Sequence, residues 1–174
     1  MKKKEMLQAQ LSYVREQQDI DDSLFETTMN WFLEVEKLHE MLRLLTETIS
    51  GQPKGRFDML RGLYLHPEGI MRPADLAIVA EMTRASSSHN LDVLERDGLV
   101  HRKTDPNDRR SAMVSLTPKG HKLMSEILPS YLKTIQAVAQ TTSSPLTDAS
   151  ILRIKGYNAH IEALVQSIKD SQNK

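Results

Sequence analysis

Residues 83–111 hold the side chains with the most chemistry to offer. Thr83-Arg84-Ala85-Ser86-Ser87-Ser88-His89-Asn90 is a run of hydrogen-bonding groups broken by one alanine. Thr104-Asp105-Pro106-Asn107-Asp108-Arg109-Arg110-Ser111 is a turn-forming segment that carries adjacent arginines. Ser, Asn and His match the donors and acceptors of base edges, and Arg can take a guanine bidentately. Arg also suits a narrow, negative minor groove. A polar helix beside a basic hairpin is thus a device for reading duplex DNA, one element in the major groove and the other reaching an adjacent minor groove. The competing reading of the hairpin is a solvated basic turn.

Other chemistries find less support. The chain has no cysteine, which excludes disulfides, thiolate metal sites and thiol redox sensing. Of six histidines, only His89, His101 and His121 fall near this stretch, and none pairs at helical ligand spacing. No metal and no cofactor is expected. Nine methionines read as core filler before oxidation sensors. There is no phosphate-cradling glycine loop, no Ser/His/Asp setting and no metal-protease helix, so an enzyme is not expected. A winged helix that binds protein instead would want an apolar second helix and a neutral hairpin. Ser86 to Asn90 and Arg109-Arg110 point the other way.

Several elements must position these groups. Residues 2–17 can form a short amphipathic helix with Leu7, Leu11 and Val14 on one face. Asp19-Ile20-Asp21-Asp22-Ser23 breaks it and starts a long helix to Ser50, ended by Gly51-Gln52-Pro53-Lys54-Gly55. A helix from Arg56 to His66 would bury Phe57, Leu60, Leu63 and Tyr64, and Ile70-Met71 is a minimal strand. Pro73 opens the next helix, with Leu76, Ala77 and Val79 inward. Thr83 caps the following one, Ala85, Leu91 and Leu94 seat it, and Gly98 stops it. Leu99–Lys103 and Ser111–Leu116 are short strands. Thr117-Pro118 starts a long helix, residues 141–145 break it, and a last helix begins near Leu146. The expected class is mostly α with a small β-hairpin.

At 174 residues the chain holds one domain with an accessory layer. Aromatics are only 5%, which suits a Leu, Ile, Val and Met core completed in part by a partner subunit. The formal net charge is zero. Its distribution is uneven: residues 1–50 sum to −4 and residues 99–122 to +4, six Lys/Arg against two Asp/Glu. Positive charge is gathered at the hairpin, where a phosphate-binding patch would need it. No signal peptide and no membrane-length apolar run is evident, so a soluble cytoplasmic protein is expected, without a membrane partner.

Three strings, Leu94-Glu95-Arg96-Asp97-Gly98-Leu99-Val100, Asp105 to Ser111, and Val114-Ser115-Leu116-Thr117-Pro118-Lys119-Gly120, stand in register between flanking helices. In this the chain closely resembles the MarR family of winged helix-turn-helix transcriptional regulators. The resemblance covers roughly residues 24–170 and is sharpest over 73–120. It implies a triangular homodimer, with dimerisation helices in 1–50 and 121–174 and a winged helix-turn-helix lobe in 51–120. It also implies a regulator of double-stranded DNA, most often a repressor, released by a small anionic or aromatic effector. Some relatives activate instead.

Carried over residue by residue, the reading helix is Thr83 to Asp97, with Arg84, Ser86, Ser88 and His89 exposed toward DNA. Ser87 and Asn90 stand where relatives often carry apolar residues. That departure either widens the base-contacting face, the favoured reading, which adds Ser87 to the contacts, or weakens the seat of the helix. In the wing, Asp108 would brace Arg110 for the minor groove. Asn107 and Arg109 would touch phosphate, and Arg102, Lys103 and Lys119 would add backbone contacts. An effector pocket is expected where the long first helix meets the third helix and the lobe, with Trp31, His39, Arg43, Phe57 and Tyr64 as candidates. Core and surface roles compete with that reading for each of the five.

Overall fold

A computed structural model describes residues 3–17, 20–104, 112–140 and 147–172. The element order is α1 (Lys3–Val14), α2 (Asp22–Ser50), α3 (Lys54–Leu65), β1 (Ile70–Met71), α4 (Pro73–Val79), α5 (Arg84–Arg96), β2 (Val100–Thr104), β3 (Ala112–Leu116), α6 (Pro118–Gln140) and α7 (Asp148–Gln172). The chain divides into two units, residues 1–128 and 129–174.

In the first unit, local chemistry sets the helix ends. Asp21 Oδ1 accepts the Leu24 amide at 2.9 Å and caps α2, satisfying a donor that the first turn leaves free. Gly51, at φ 63°, closes α2 by donating its N–H to Glu47. α3 begins two residues before the expected Arg56, because the Pro53 carbonyl already accepts from Arg56 and Phe57. Pro73 occupies the first turn of α4, where its missing N–H costs nothing.

The sheet has the order β1-β3-β2, antiparallel throughout. β2 and β3 pair from Val100↔Leu116 out to Thr104↔Ala112. α3, α4 and α5 close one side of this sheet around a core in which Phe57, Leu60, Leu63, Leu76, Leu91, Leu94 and Val114 are all but inaccessible. Each such side chain contributes about 1.5–3 kcal/mol relative to leaving it in water. Three expected core positions differ, of which Tyr64 on α3 is only half-buried. Ala85 is exposed, because the inward stripe of α5 runs through 87, 91 and 94 at helical spacing and residue 85 falls off it. Val93 is buried on that helix instead. Val79 is partly exposed, although its Cγ1 still crowds the backbone of Gly62 on α3.

In the second unit, α7 is exposed on nearly every side chain, including Ile151, Ile154, Ile161 and Leu164. Its apolar positions are unsatisfied within one copy of the chain. The same holds in the first unit for Leu24, Phe32, Val35 and Leu38 of α2, while Leu11 and Val14 of α1 are buried.

Two backbone features are unusual. The turn between α4 and α5 passes through Glu81 at φ 54°, a conformation costly to a residue with a Cβ. Gly120 lies so close to β2 that a Cβ would overlap the Leu99 carbonyl oxygen. Gly120→Ala is expected to lower the thermal midpoint by about 5–10 °C, since the clash is with backbone that cannot yield. An unchanged midpoint would refute the close approach. Glu81→Gly is expected to raise unfolding free energy by about 0.5–1 kcal/mol, the relief of strain less the added chain entropy. Urea denaturation measures it, and a loss of stability would contradict the assignment of strain.

Candidate nucleic-acid interface

The reading helix α5 is entered through a tight turn. Ala80 donates its N–H to Leu76 and Met82 donates to Ala77, so the chain leaves α4 and reverses within four residues. Thr83 Oγ1 then accepts the Ser86 amide at 3.2 Å. This cap leaves the first turn of α5 at the surface, with Arg84, Ser86, Ser88 and His89 exposed.

Ser87 is not among them. It is 2% exposed, and its Oγ faces the Pro73 carbonyl at 3.5 Å. Ser87 cannot reach a base edge, because it stands on the inward 87–91–94 stripe. Asn90 also turns inward. Its Nδ2 donates to the Ser86 carbonyl at 2.9 Å, and its Oδ1 accepts from Arg56 Nε on α3 at 3.1 Å. The polar departures at 87 and 90 therefore make a polar seat and do not widen the outer face. That corrects the favoured sequence reading.

β2 is joined to α5 by charge. Arg102 donates through Nη2 to Asp92 Oδ1 at 2.6 Å, and its Nε lies 3.7 Å from Glu95 Oε2. Its backbone N–H donates to Glu95 Oε1 at 3.2 Å. Arg102 is thus spoken for by two carboxylates, whereas the sequence suggested a phosphate contact. Lys119 Nζ donates to the Asp97 carbonyl at 2.8 Å, at the end of α5. Lys103 is exposed. Across the strands, His101 Nε2 and Ser115 Oγ lie 3.1 Å apart. Asn107, Asp108, Arg109 and Arg110 lie outside the described residues, in the segment between Thr104 and Ala112.

The five candidates for an effector pocket do not converge. His39 and Arg43 border a cleft of about 790 Å³ together with Gln8 of α1 and several α2 residues. Trp31 instead meets Phe32 edge-on at 5.4 Å. Phe57 is fully buried in the core beneath Arg61. Tyr64 lies 5.8 Å from His121. Arg43 already donates to Glu40 and Glu47 at 2.6 Å each, and those hydrogen bonds, Glu40 first, hold its guanidinium above the ordinary arginine pKa. A carboxylate ligand would have to displace them.

Sequence reasoning missed three arrangements. Arg56 reaches Asn90 from 34 positions away, which no local pattern reveals. The Arg102–Asp92 pair spans 10 positions and joins two different elements, which no helical spacing reveals. Asp58, 3% exposed, is held by Lys54 at 2.7 Å and Arg61 at 2.9 Å, and its i,i+4 and i,i+3 spacings were readable.

Known proteins share this arrangement. The MarR family model matches residues 49–111, from the end of α2 to the start of β3. The HTH-type transcriptional repressor YetL of Bacillus subtilis (strain 168) is 31% identical over 98 residues, which cover 56% of this chain and 59% of that protein. The chain thus spans less than two thirds of that relative. Sco3205, a MarR family transcriptional regulator from Streptomyces coelicolor solved in complex with DNA, superposes with a TM-score of 0.61 at 22% identity, over 82% of this chain and 86% of that one. NadR, solved in complex with 4-hydroxyphenylacetate, gives 0.54 at 26% identity, over 76% and 89%. The matched segment, the curated relative and the fold thus make this chain similar to the MarR family over its winged lobe.

Proposed function

We propose that this chain is a homodimeric, sequence-specific DNA-binding regulator that acts as a repressor.

 The observation that carries this is the exposed, capped first turn of α5, which offers Arg84, Ser86, Ser88 and His89 beside a hairpin segment of net +4. YetL is named a transcriptional repressor and Sco3205 was solved on DNA, which supports the same role here. The lobe of residues 51–120 reads DNA. Residues 1–50 and 121–174 form the dimerisation layer, because the apolar positions of α2 and α7 are uncovered in one copy and faces of that size are normally buried against a partner. In such a dimer the two reading helices sit about one turn of duplex apart, ~34 Å. In the wing, Asp108 braces Arg110 for the minor groove, and Asn107 and Arg109 meet phosphate.

The protein acts without catalysis, in the cytoplasm. Among the described residues, no helix is long and apolar enough to cross a membrane. Release from DNA by a small aromatic or anionic effector is a further part of this reading, supported by the 4-hydroxyphenylacetate bound to NadR. The cleft bordered by His39 and Arg43 is the place to look for it.

Selection of bound duplexes from a random pool, at near-physiological salt, tests the proposal. An inverted repeat with half-site centres about 10 bp apart is expected. No recovered motif, or a monomer by light scattering, would count against it. Ser88→Ala is expected to weaken binding to the selected site by about 1 kcal/mol or more while leaving stability unchanged. Ser87→Arg should instead unfold the lobe, because it drives a charge into the seat of α5. Equal effects of the two changes on DNA binding, with both proteins folded, would show that the inward and outward faces of α5 are misassigned. Arg110→Ala should weaken binding and reduce preference for A·T-rich flanks. An unaltered isotherm removes the wing from the interface.

A further inference from the structure

We infer that Arg102 is a positioning residue that sets the wing against the reading helix, an inference that rests on the DNA-binding role proposed above. Its Nη2 donates to Asp92 Oδ1 at 2.6 Å and to the Ser88 carbonyl at 3.4 Å, and its Nε, which makes no hydrogen bond, lies at ion-pair distance, 3.7 Å, from Glu95 Oε2. Residues 88, 92 and 95 stand at i, i+4 and i+7, so they form one stripe on α5. A single guanidinium therefore lies along two turns of the reading helix. The main chain of the same residue is fastened to that stripe as well, through its N–H to Glu95 Oε1 at 3.2 Å.

β2 cannot slide or tilt against α5 without breaking this set. Arg102 pairs with Val114 in the middle of the β2–β3 ladder, so whatever holds it also holds the register partner. Thr104, the last residue of β2, is two positions further on, and the basic segment follows directly. At about 3.3 Å per residue, the strut stands within ~10 Å of the start of that segment. Its planar, forked donors suit the task better than an ammonium would, because they hold two acceptors in fixed directions.

The alternative role for Arg102 is to supply positive charge to phosphate. The two roles give opposite signs at Asp92. If Arg102 serves as charge, Asp92→Ala removes a carboxylate that opposes it and binding tightens. If Arg102 is a strut, the same change frees the wing and binding weakens.

The test is DNA affinity and flank preference, measured on the selected inverted repeat for the wild type, Asp92→Ala, Arg102→Ala, Arg102→Lys and the double alanine variant. Circular dichroism establishes that each is folded. Weakening of about tenfold is expected for Arg102→Ala, with a smaller loss for Asp92→Ala and no further loss in the double variant, as coupled residues require. Preference at the wing-contacted flanks should fall while preference at the centre of each half-site stays. Arg102→Lys, which keeps the charge and loses the fork, should not restore either. Tighter or unchanged binding by Asp92→Ala, or full rescue by Arg102→Lys, overturns the inference. Hydrogen exchange in the free protein gives an answer independent of DNA: the amides of β2 and β3 should exchange faster in Arg102→Ala, with those of α3 unchanged. Equal exchange overturns the strut. Failure of the wild type to select any duplex would instead overturn the regulator reading, and the exchange result would still decide whether Arg102 holds the wing.

Discussion

The lobe depends on one junction, where the end of α5, the start of β2 and the start of α6 share backbone groups. The Leu99 amide donates to Leu94 at 2.9 Å and finishes the reading helix. The Leu99 carbonyl accepts the Thr117 amide at 3.0 Å, and Thr117 Oγ1 donates to the Gly98 carbonyl at 2.7 Å. That hydroxyl also accepts the Gly120 amide at 3.1 Å, which caps α6. Gly98 takes φ 70° so that the chain can turn at once from helix to strand, and Gly120 leaves room for α6 to press on that turn. One threonine and two glycines thus fix where the reading helix stops, where the hairpin begins and where the chain leaves the lobe. The relative placement of helix and wing follows from that geometry before any side chain meets DNA.

The seat of the reading helix is uneven along its length. Leu91, Val93 and Leu94 anchor the second half by apolar burial, and that half runs straight into the junction. The first half rests on polar contacts, the long Ser87–Pro73 hydrogen bond and the Asn90–Arg56 pair. Polar contacts of this kind contribute about 0.5–1.5 kcal/mol each, less than a fully buried leucine. They are directional, however, and a helix held by them has a defined rotation about its axis. The end of α5 that faces outward is therefore the more lightly held one.

Much of this was legible in the chain itself. Caps at Asp21 and Thr83, a terminating glycine at 51 and Pro73 in a first turn each announce a helix end through backbone chemistry, and all four behave as local rules require. The strand pairing was readable from alternation around Val114 and Leu116. What was not legible depends on which way a helix is rotated. Ser87 and Asn90 look like contact residues because they are polar, yet the 87–91–94 stripe takes Ser87 inward and the bonds to Ser86 and Arg56 hold Asn90, half-buried, beside it, and a serine that is buried and one that is exposed have the same sequence signature. Arg102 likewise reads as free charge until Asp92 and Glu95 are seen beside it. Phe57 and Tyr64 read as ligand walls because aromatics are scarce here, whereas the lobe uses Phe57 as core.

The pairing of cations within the chain sharpens how a protein of zero net charge could hold a polyanion. Arg43 is bound to Glu40 and Glu47, Lys54 and Arg61 to Asp58, and Arg102 to Asp92. These cations hold the fold together and present little field to solvent, since each is neutralised within a few ångströms. Phosphate neutralisation, on the reading proposed here, then falls to the exposed Arg84 and Lys103 and to Arg109 and Arg110 of the hairpin segment. Arg84 opens α5 and Lys103 stands on β2, while most of the acidic residues of 1–50 stand on α1 and α2. A field that is local and one-sided orients a duplex more strictly than a uniformly basic surface would, because only one approach brings the polyanion to positive charge. On the reading proposed here, zero net charge is in this sense part of the specificity, because affinity has to be gathered where α5 and the hairpin can both reach the grooves.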